Sequence, residues 1–265
     1  MKKSTEISKD RTNIKVDDVK LYINGEFVNA QAQATFENIN PFTNEVNNLV
    51  AEGRKEDMDK AVIAAKQAFK SGPWGSMKME ERMVYINRIA DLIDEDVEEI
   101  ASLESIDTGL PIAQTRKMIA RAAENFRFYS RMVQSKLHGE SYPVDNEFIN
   151  YTIYKPLGVV GLITPWNAPF MLETWKVAPA LATGNTVILK PAELSPLTAN
   201  KLAEVMDKAG LPKGVFNVVH GYGETAGAAL VAHPDVEAIS FTGETTTGTI
   251  IIKNSADTLK KTSME

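Results

Sequence analysis

The sequence predicts an α/β fold: a doubly wound parallel sheet over its later part, an amino-terminal helical part before it, and a bridging β-hairpin between the two. Three observations lead there. From Val159 onward, short apolar runs rich in β-branched residues alternate with helical patterns and are punctuated by Gly and Pro. Earlier, apolar residues recur in three stripes at helical spacing. Between them, Ser141 to Leu157 loses both patterns and roughly alternates aromatic or aliphatic with polar residues. The expected divisions are 1–18 as a disordered tail, 19–140 as amino-terminal helices and hairpin, 141–157 as the bridging hairpin and 158–265 as the sheet core.

Each element has a local reason. Leu21-Tyr22-Ile23 and Glu26-Phe27-Val28 flank Asn24-Gly25, which supplies the positive φ angles of a type I′ hairpin turn. Asn40-Pro41 and Thr43-Asn44 mark a turn before Val46–Val50. Met58, Ala61, Val62, Ala65 and Phe69 form the first helical stripe, stopped by Gly72-Pro73. Ile86, Ile89, Ile93, Val97, Ile100 and Leu103 mark one longer helix, ended by Thr108-Gly109-Leu110-Pro111. Ile119, Ala122, Phe126, Tyr129, Val133 and Leu137 mark the third, closed by His138-Gly139. These stripes read as core packing without chemistry.

The alternating part then follows. Strands are expected at 159–163, 186–189, 215–219, 237–241 and 259–264, with helices at 170–182, 196–209, 224–232 and 245–254. Ser195 is expected to cap the second of those helices, with Pro196 at its first position. Gly210 ends it, and Leu211-Pro212 prevents its continuation.

Composition excludes several classes. The 265 residues are 43% hydrophobic and 24% charged, as in ordinary globular proteins. A net charge of −6 argues against nucleic acid or an anionic membrane as partner. The first residues lack the apolar core of a secretory signal, and no apolar run approaches the roughly 20 residues that span a bilayer. There is no cysteine, and His138, His220 and His233 have no metal-ligand spacing, so no metal is expected. A cytoplasmic location fits this profile.

The candidate chemistry sits at strand ends. Asn167 follows the first strand of the core, and Lys190 and Glu193 end the second, where open α/β sheets bind ligands. Gly243-Glu244-Thr245-Thr246-Thr247-Gly248 lies between a strand and a helix, where free N–H groups suit a phosphate. Gly221-Tyr222-Gly223 with Gly227 comes near a dinucleotide fingerprint but has one residue too many. On residues alone, each has a plainer reading: a strand-to-helix turn for the glycines, a solvated lysine, a glutamate serving a helix dipole, turn chemistry for Asn167 and core for Trp166.

Four motifs in register change the balance. Thr164-Pro165-Trp166-Asn167, Lys190-Pro191-Ala192-Glu193, Phe241-Thr242-Gly243 through Gly248, and Met264-Glu265 stand in the order and spacing of the aldehyde dehydrogenase superfamily. The chain resembles that family from about Leu21 to its last residue. The resemblance implies a Rossmann-like NAD-binding domain. Lys190 and Glu193 would hold the adenosine ribose hydroxyls, and a carboxylate there favours NAD over NADP. Thr164, Pro165, Trp166, Gly223, Phe241, Thr242, Gly243, Glu244 and Gly248 would complete the cofactor bed. Glu244 replaces the serine of many family members and is expected to turn to solvent. Asn167 would donate to the oxyanion of a cysteine thiohemiacetal, and Glu265 would activate the water that hydrolyses the thioester.

Family members continue with a Glu-Leu-Gly-Gly-Lys motif and a catalytic cysteine. The chain is therefore expected to lack the catalytic domain and to be inactive alone, with Glu265 frayed at its end. In the full-length protein the 141–157 hairpin would join subunits of a homo-oligomer, a dimer or tetramer. Asp107-Thr108-Gly109-Leu110-Pro111, Gln114, Tyr142-Pro143-Val144-Asp145 and Phe170-Met171 with Thr174-Trp175-Lys176 are similar to the semialdehyde dehydrogenases of aromatic breakdown. That likeness implies an aldehyde substrate such as 5-carboxymethyl-2-hydroxymuconate semialdehyde, with 2-hydroxymuconate semialdehyde or betaine aldehyde as alternatives; Phe170, Met171 and Trp175 are candidates to line its tunnel. The competing class is a short product that binds NAD, or pairs with full-length subunits, without catalysis.

Overall fold

The computed structural model describes residues 16–143 and 147–265. Most of the expected tail, and part of the bridging segment, lie outside these residues. Asp17 and Asp18 are held rather than loose: the Asp17 carbonyl accepts from Asn48 Nδ2 at 2.8 Å and Asp18 Oδ1 from the Leu49 N–H at 2.9 Å.

Strands β1 (Leu21–Ile23) and β2 (Glu26–Val28) form the expected hairpin, with Asn24 at φ 54° and Gly25 at φ 76° as a type I′ turn demands. Strands β3 (Thr35–Ile39) and β4 (Val46–Ala51) pair separately; their turn is closed by Asn40 Oδ1, which accepts from the N–H groups of Phe42 and Thr43. Helix α1 spans Lys55–Lys70.

The single long helix expected next is two, α2 (Met79–Glu95) and α3 (Val97–Thr108). Asp96 breaks it at φ −101°, ψ 14°, its carboxylate drawn to Lys208 at 3.1 Å and Lys201 at 3.5 Å. Both pieces present apolar residues to helix α4 (Ile112–Lys136), so the stripe runs across the break without a visible interruption. Strands β5 (Ser141–Pro143) and β6 (Ile149–Tyr151) form the small hairpin.

The remaining elements are β7 (Val159–Ile163), α5 (Pro169–Ala182), β8 (Thr186–Lys190), α6 (Leu197–Lys208), β9 (Phe216–Val218), α7 (Ala228–Ala232), β10 (Ala238–Phe241), α8 (Thr245–Ser255) and β11 (Lys261–Met264). The expected helix at 224–232 is a π turn over Gly223–Gly227 that runs into the short α7. Ser195 does not cap α6: its hydroxyl is buried without a partner among the described residues, and Asp107 of α3 accepts from the Leu197 N–H instead.

The main sheet runs β11-β10-β7-β8-β9-β1-β2, parallel from β11 to β9, with the β1–β2 hairpin added antiparallel. Val160, Leu162, Val187 and Leu189 pack in one cluster with α2, α4, α5 and α6. Val159, Ile163, Ile188 and Ile239 pack in another with α1, α7 and α8. Both faces are therefore covered, which is why β7 and β8 read as unbroken apolar runs rather than alternating ones.

Candidate functional site

The chain lays β7, β8 and β9 outward in one direction and then returns to place β10 and β11 on the other side of β7. The order reverses between β7 and β10, and such a switch point leaves a crevice at the strands' carboxyl ends. A cavity of about 450 Å³ opens there. Ile163 and Phe241, the last residues of the two strands, border it. Thr164, Pro165 and Trp166 continue from β7, and Lys190, Ala192 and Glu193 from β8. The opposite wall is Gly223, Glu224, Gly227, Ala228 and Val231 of the π turn and α7. Thr242, Gly243 and Glu244 lead into α8, which adds Thr247, Ile250, Ile251 and Asn254.

Lys190 and Glu193 form the polar edge. Lys190 is buried, and its Nζ donates to Glu193 Oε2 at 3.0 Å. Burial would raise the Glu193 carboxyl, but the charge and hydrogen bond of Lys190 outweigh it and hold it below the usual carboxylate range. Nearby His220 is neutral, pushed down to about 3 by burial first and by the Lys190 charge second. A carboxylate with one oxygen engaged keeps acceptor capacity for a diol.

The α8 end differs from expectation. Glu244 is exposed but does not turn away: its Oε2 accepts from the Thr247 N–H at 3.1 Å, and hydrogen bonds from Thr246 and Thr247 hold its carboxyl below the usual range. It caps its own helix with the kind of donor that a phosphate would use. Gly243 is required by packing, since a Cβ there would lie 2.6 Å from Phe241 Cζ. Gly248 is buried and outside the crevice; a Cβ on it would sit 3.5 Å from the Phe241 ring.

Trp166 is 57% exposed at the rim, which removes the core reading. Asn167, just before α5, is exposed, does not line the cavity and makes no side-chain hydrogen bond among the described residues. Glu265 is not frayed. Its N–H donates to the Phe241 carbonyl at 3.0 Å, its carbonyl accepts from Gly243 at 3.2 Å, and its Oε2 accepts from Thr242 Oγ1 at 2.9 Å. Glu265 lines a second cavity, of about 680 Å³, together with Arg121, Trp175, Lys176 and Ser240. Thr242, which lines the first cavity, thus links Glu265 to it.

In that second cavity Lys176 Nζ donates to Ser240 Oγ at 3.0 Å; burial lowers its ammonium pKa, against the opposing charge of Glu265. Trp175 lies under Arg121, 5.9 Å from guanidinium carbon to ring centre, whereas Phe170 is fully buried in the core. Sequence reasoning missed the cavity-lining residues Val231, Ile250, Ile251 and Asn254. Ile250 is 53% exposed, yet apolar residues along a short helix look the same whether they face a core or a ligand.

The residues fit a dinucleotide. The cavity volume lies within the usual range of about 300–1,000 Å³ for small-molecule sites. Its apolar walls suit a base, its Lys190–Glu193 edge suits a ribose, and Gly223 and Gly227 leave open space where side chains would otherwise project.

Comparisons with known proteins agree. The sequence model of the aldehyde dehydrogenase family matches residues 27–265. The 5-carboxymethyl-2-hydroxymuconate semialdehyde dehydrogenase of Escherichia coli is 50% identical over 248 residues, 93% of this chain and 52% of that protein. The crystal structure of HpcC from Thermus thermophilus superposes with a TM-score of 0.93 at 48% identity, covering 98% of this chain and 50% of that one. The NAD+ complex of an aldehyde dehydrogenase from Bacillus cereus gives 0.91 at 44% identity, covering 94% of this chain and 50% of that one. The chain spans about half the length of the curated relatives it matches. By motif order, topology and these matches, it belongs to the aldehyde dehydrogenase family.

Proposed function

We propose that the chain is the cofactor-binding part of an NAD-dependent enzyme that oxidises an aldehyde to the carboxylic acid. The observation that carries this reading is the switch-point crevice with Lys190 and Glu193 paired at its edge. Glu193 accepts from the ribose hydroxyls and disfavours an added phosphate, and Lys190 holds that carboxylate ionised. The α8 amino terminus faces the pyrophosphate, and Val231 and Ile250 offer the base an apolar bed. Bound NAD supplies the hydride acceptor.

Asn167, next to Trp166 at the crevice rim, is the candidate donor to the oxyanion, a role worth roughly 2.7–4 kcal/mol where such a donor is preorganised. Glu265, whose Oε2 accepts from Thr242 Oγ1, is the candidate base that takes a proton from water. The nucleophile that completes the reaction is a cysteine, a residue type absent from this chain. A semialdehyde of aromatic breakdown is the substrate class that the E. coli relative supports. The 141–157 segment, with Tyr142, Ile149, Tyr151, Ile153 and Tyr154 exposed, supports subunit pairing in a homo-oligomer.

Calorimetric titration tests the cofactor reading. The chain is expected to bind NAD more tightly than NADP, and Glu193→Gln to reduce that preference about ten-fold. No heat with either nucleotide would overturn NAD binding, and an unchanged ratio would remove the role of Glu193.

A further inference from the structure

The helices that follow β7 and β8 have no caps of their own. Helix α5 starts from Ala168 and Pro169, and α6 from Pro196, with no side-chain cap at either N-cap position. Both caps come from α3. Glu104 Oε2 accepts from the Phe170 N–H at 3.1 Å, and Asp107 Oδ2 accepts from the Leu197 N–H at 2.9 Å. The two acids stand three residues apart, one turn of helix, and so share one face. Asp107 Oδ1 also takes the Asn38 amide at 2.8 Å, tying the β3–β4 pair to the same point.

We propose that Glu104 and Asp107 are positioning residues of the cofactor crevice, each fixing from α3 the first turn of one helix and thereby the loop before it. The α5 turn carries the Thr164–Ala168 loop with Trp166 and Asn167. The α6 turn carries the Lys190–Ser195 loop with the Lys190–Glu193 pair. One rigid helix thus sets the separation of two walls that come from different strands. The inference rests on the cofactor reading above.

Stability does not account for the arrangement. Both acids are buried, and burial pushes each carboxyl up to about 7 against the hydrogen bonds it accepts. Glu173 of α5 stands beside them, fully buried, with neither oxygen hydrogen-bonded among the described residues. A Ser or Asp at the N-cap would cap each helix locally without burying a carboxyl. A buried cap from elsewhere costs more and gives what a local cap cannot, a fixed relation between two loops.

The test is NAD titration of the chain, with hydrogen exchange read in parallel. Glu104→Met keeps the side-chain volume but removes both acceptor and charge. It is expected to match or exceed wild-type thermal stability while weakening NAD binding about ten-fold. Glu104→Gln, which keeps an acceptor for Phe170, is expected to restore wild-type affinity. Exchange should quicken in the first turn of α5 in Glu104→Met and in that of α6 in Asp107→Leu, each leaving the other turn protected. Asp107→Leu also serves should Glu104→Met fail to fold. Wild-type affinity in a folded Glu104→Met or Asp107→Leu variant, or exchange quickened equally in both turns, overturns the proposal. If the wild type binds no NAD, the exchange pattern still decides the clamp, and only the cofactor reading falls.

Discussion

The buried acids make the stability of this protein depend on pH in an unusual direction. Glu104 is raised from an ordinary 4.5 to about 7, burial being the largest cause. Folded Glu104 therefore holds its proton more tightly than the unfolded chain does. Its contribution is complete below pH 4.5 and is lost as pH rises through 7, a change of about 3 kcal/mol. Asp107 acts in the same direction, raised from 3.8 to about 7, and Glu173 is raised well above its ordinary value by burial first and by the charges of these two neighbours. Glu104→Gln removes one titration and keeps the acceptor for Phe170. Urea unfolding of both proteins at pH 5, 6, 7 and 8 should show similar stabilities at pH 5 and the variant gaining by about 3 kcal/mol at pH 8. In thermal melts this is a shift of about 6 °C. Comparing the two proteins at each pH cancels the opposing, acid-side loss from Asp96, Glu193, Asp235 and Glu244, whose carboxyls are lowered. His220, lowered from 6.5 to about 3, stays neutral in the folded protein while its unfolded form takes up a proton below pH 6.5, a further acid-side loss that the same comparison cancels. Parallel stability curves from pH 5 to 8 would refute the reasoning.

Other predictions follow from single contacts. Glu244→Ser should strengthen NAD binding about three-fold at low salt, by removing a carboxylate that occupies α8 amides; an equal or weaker affinity in titration rejects that competition. Gly161→Ala places a Cβ 2.7 Å from Ile239 Cδ1 and 2.9 Å from Leu230 Cγ, and should cost about 1–3 kcal/mol in urea unfolding; an unchanged midpoint counts against so tight a β7–α7 contact. The purified, mass-verified chain should show no NAD-dependent aldehyde oxidation, and measurable turnover would mean that a group other than cysteine serves as nucleophile.

Much of the fold is legible locally. Asn24-Gly25 specifies its hairpin because both residues tolerate left-handed backbone, and the apolar runs at β7 and β8 announce strands covered on both faces. Of the motif residues, Lys190, Glu193, Trp166 and Gly243 line one crevice, whereas Asn167, Gly248 and Glu265 lie outside it. The failures share a cause. Asp96 interrupts a helix whose apolar stripe shows no gap, Ser195 loses the α6 cap to Asp107, and Glu244 turns back onto α8 rather than away.

By itself, then, the sequence determined most element types, the main turns, the family and the strand-end and glycine-loop residues of the crevice, because these depend on neighbours a few positions apart, but not the helix residues Val231, Ile250, Ile251 and Asn254 that also line it. Only the tertiary structure decided the order β11-β10-β7-β8-β9 that opens the crevice, the transfer of two helix caps to α3, and the anchoring of Glu265 through Thr242. Those outcomes depend on hydrogen bonds and burial between residues up to 90 positions apart, and no local pattern records them.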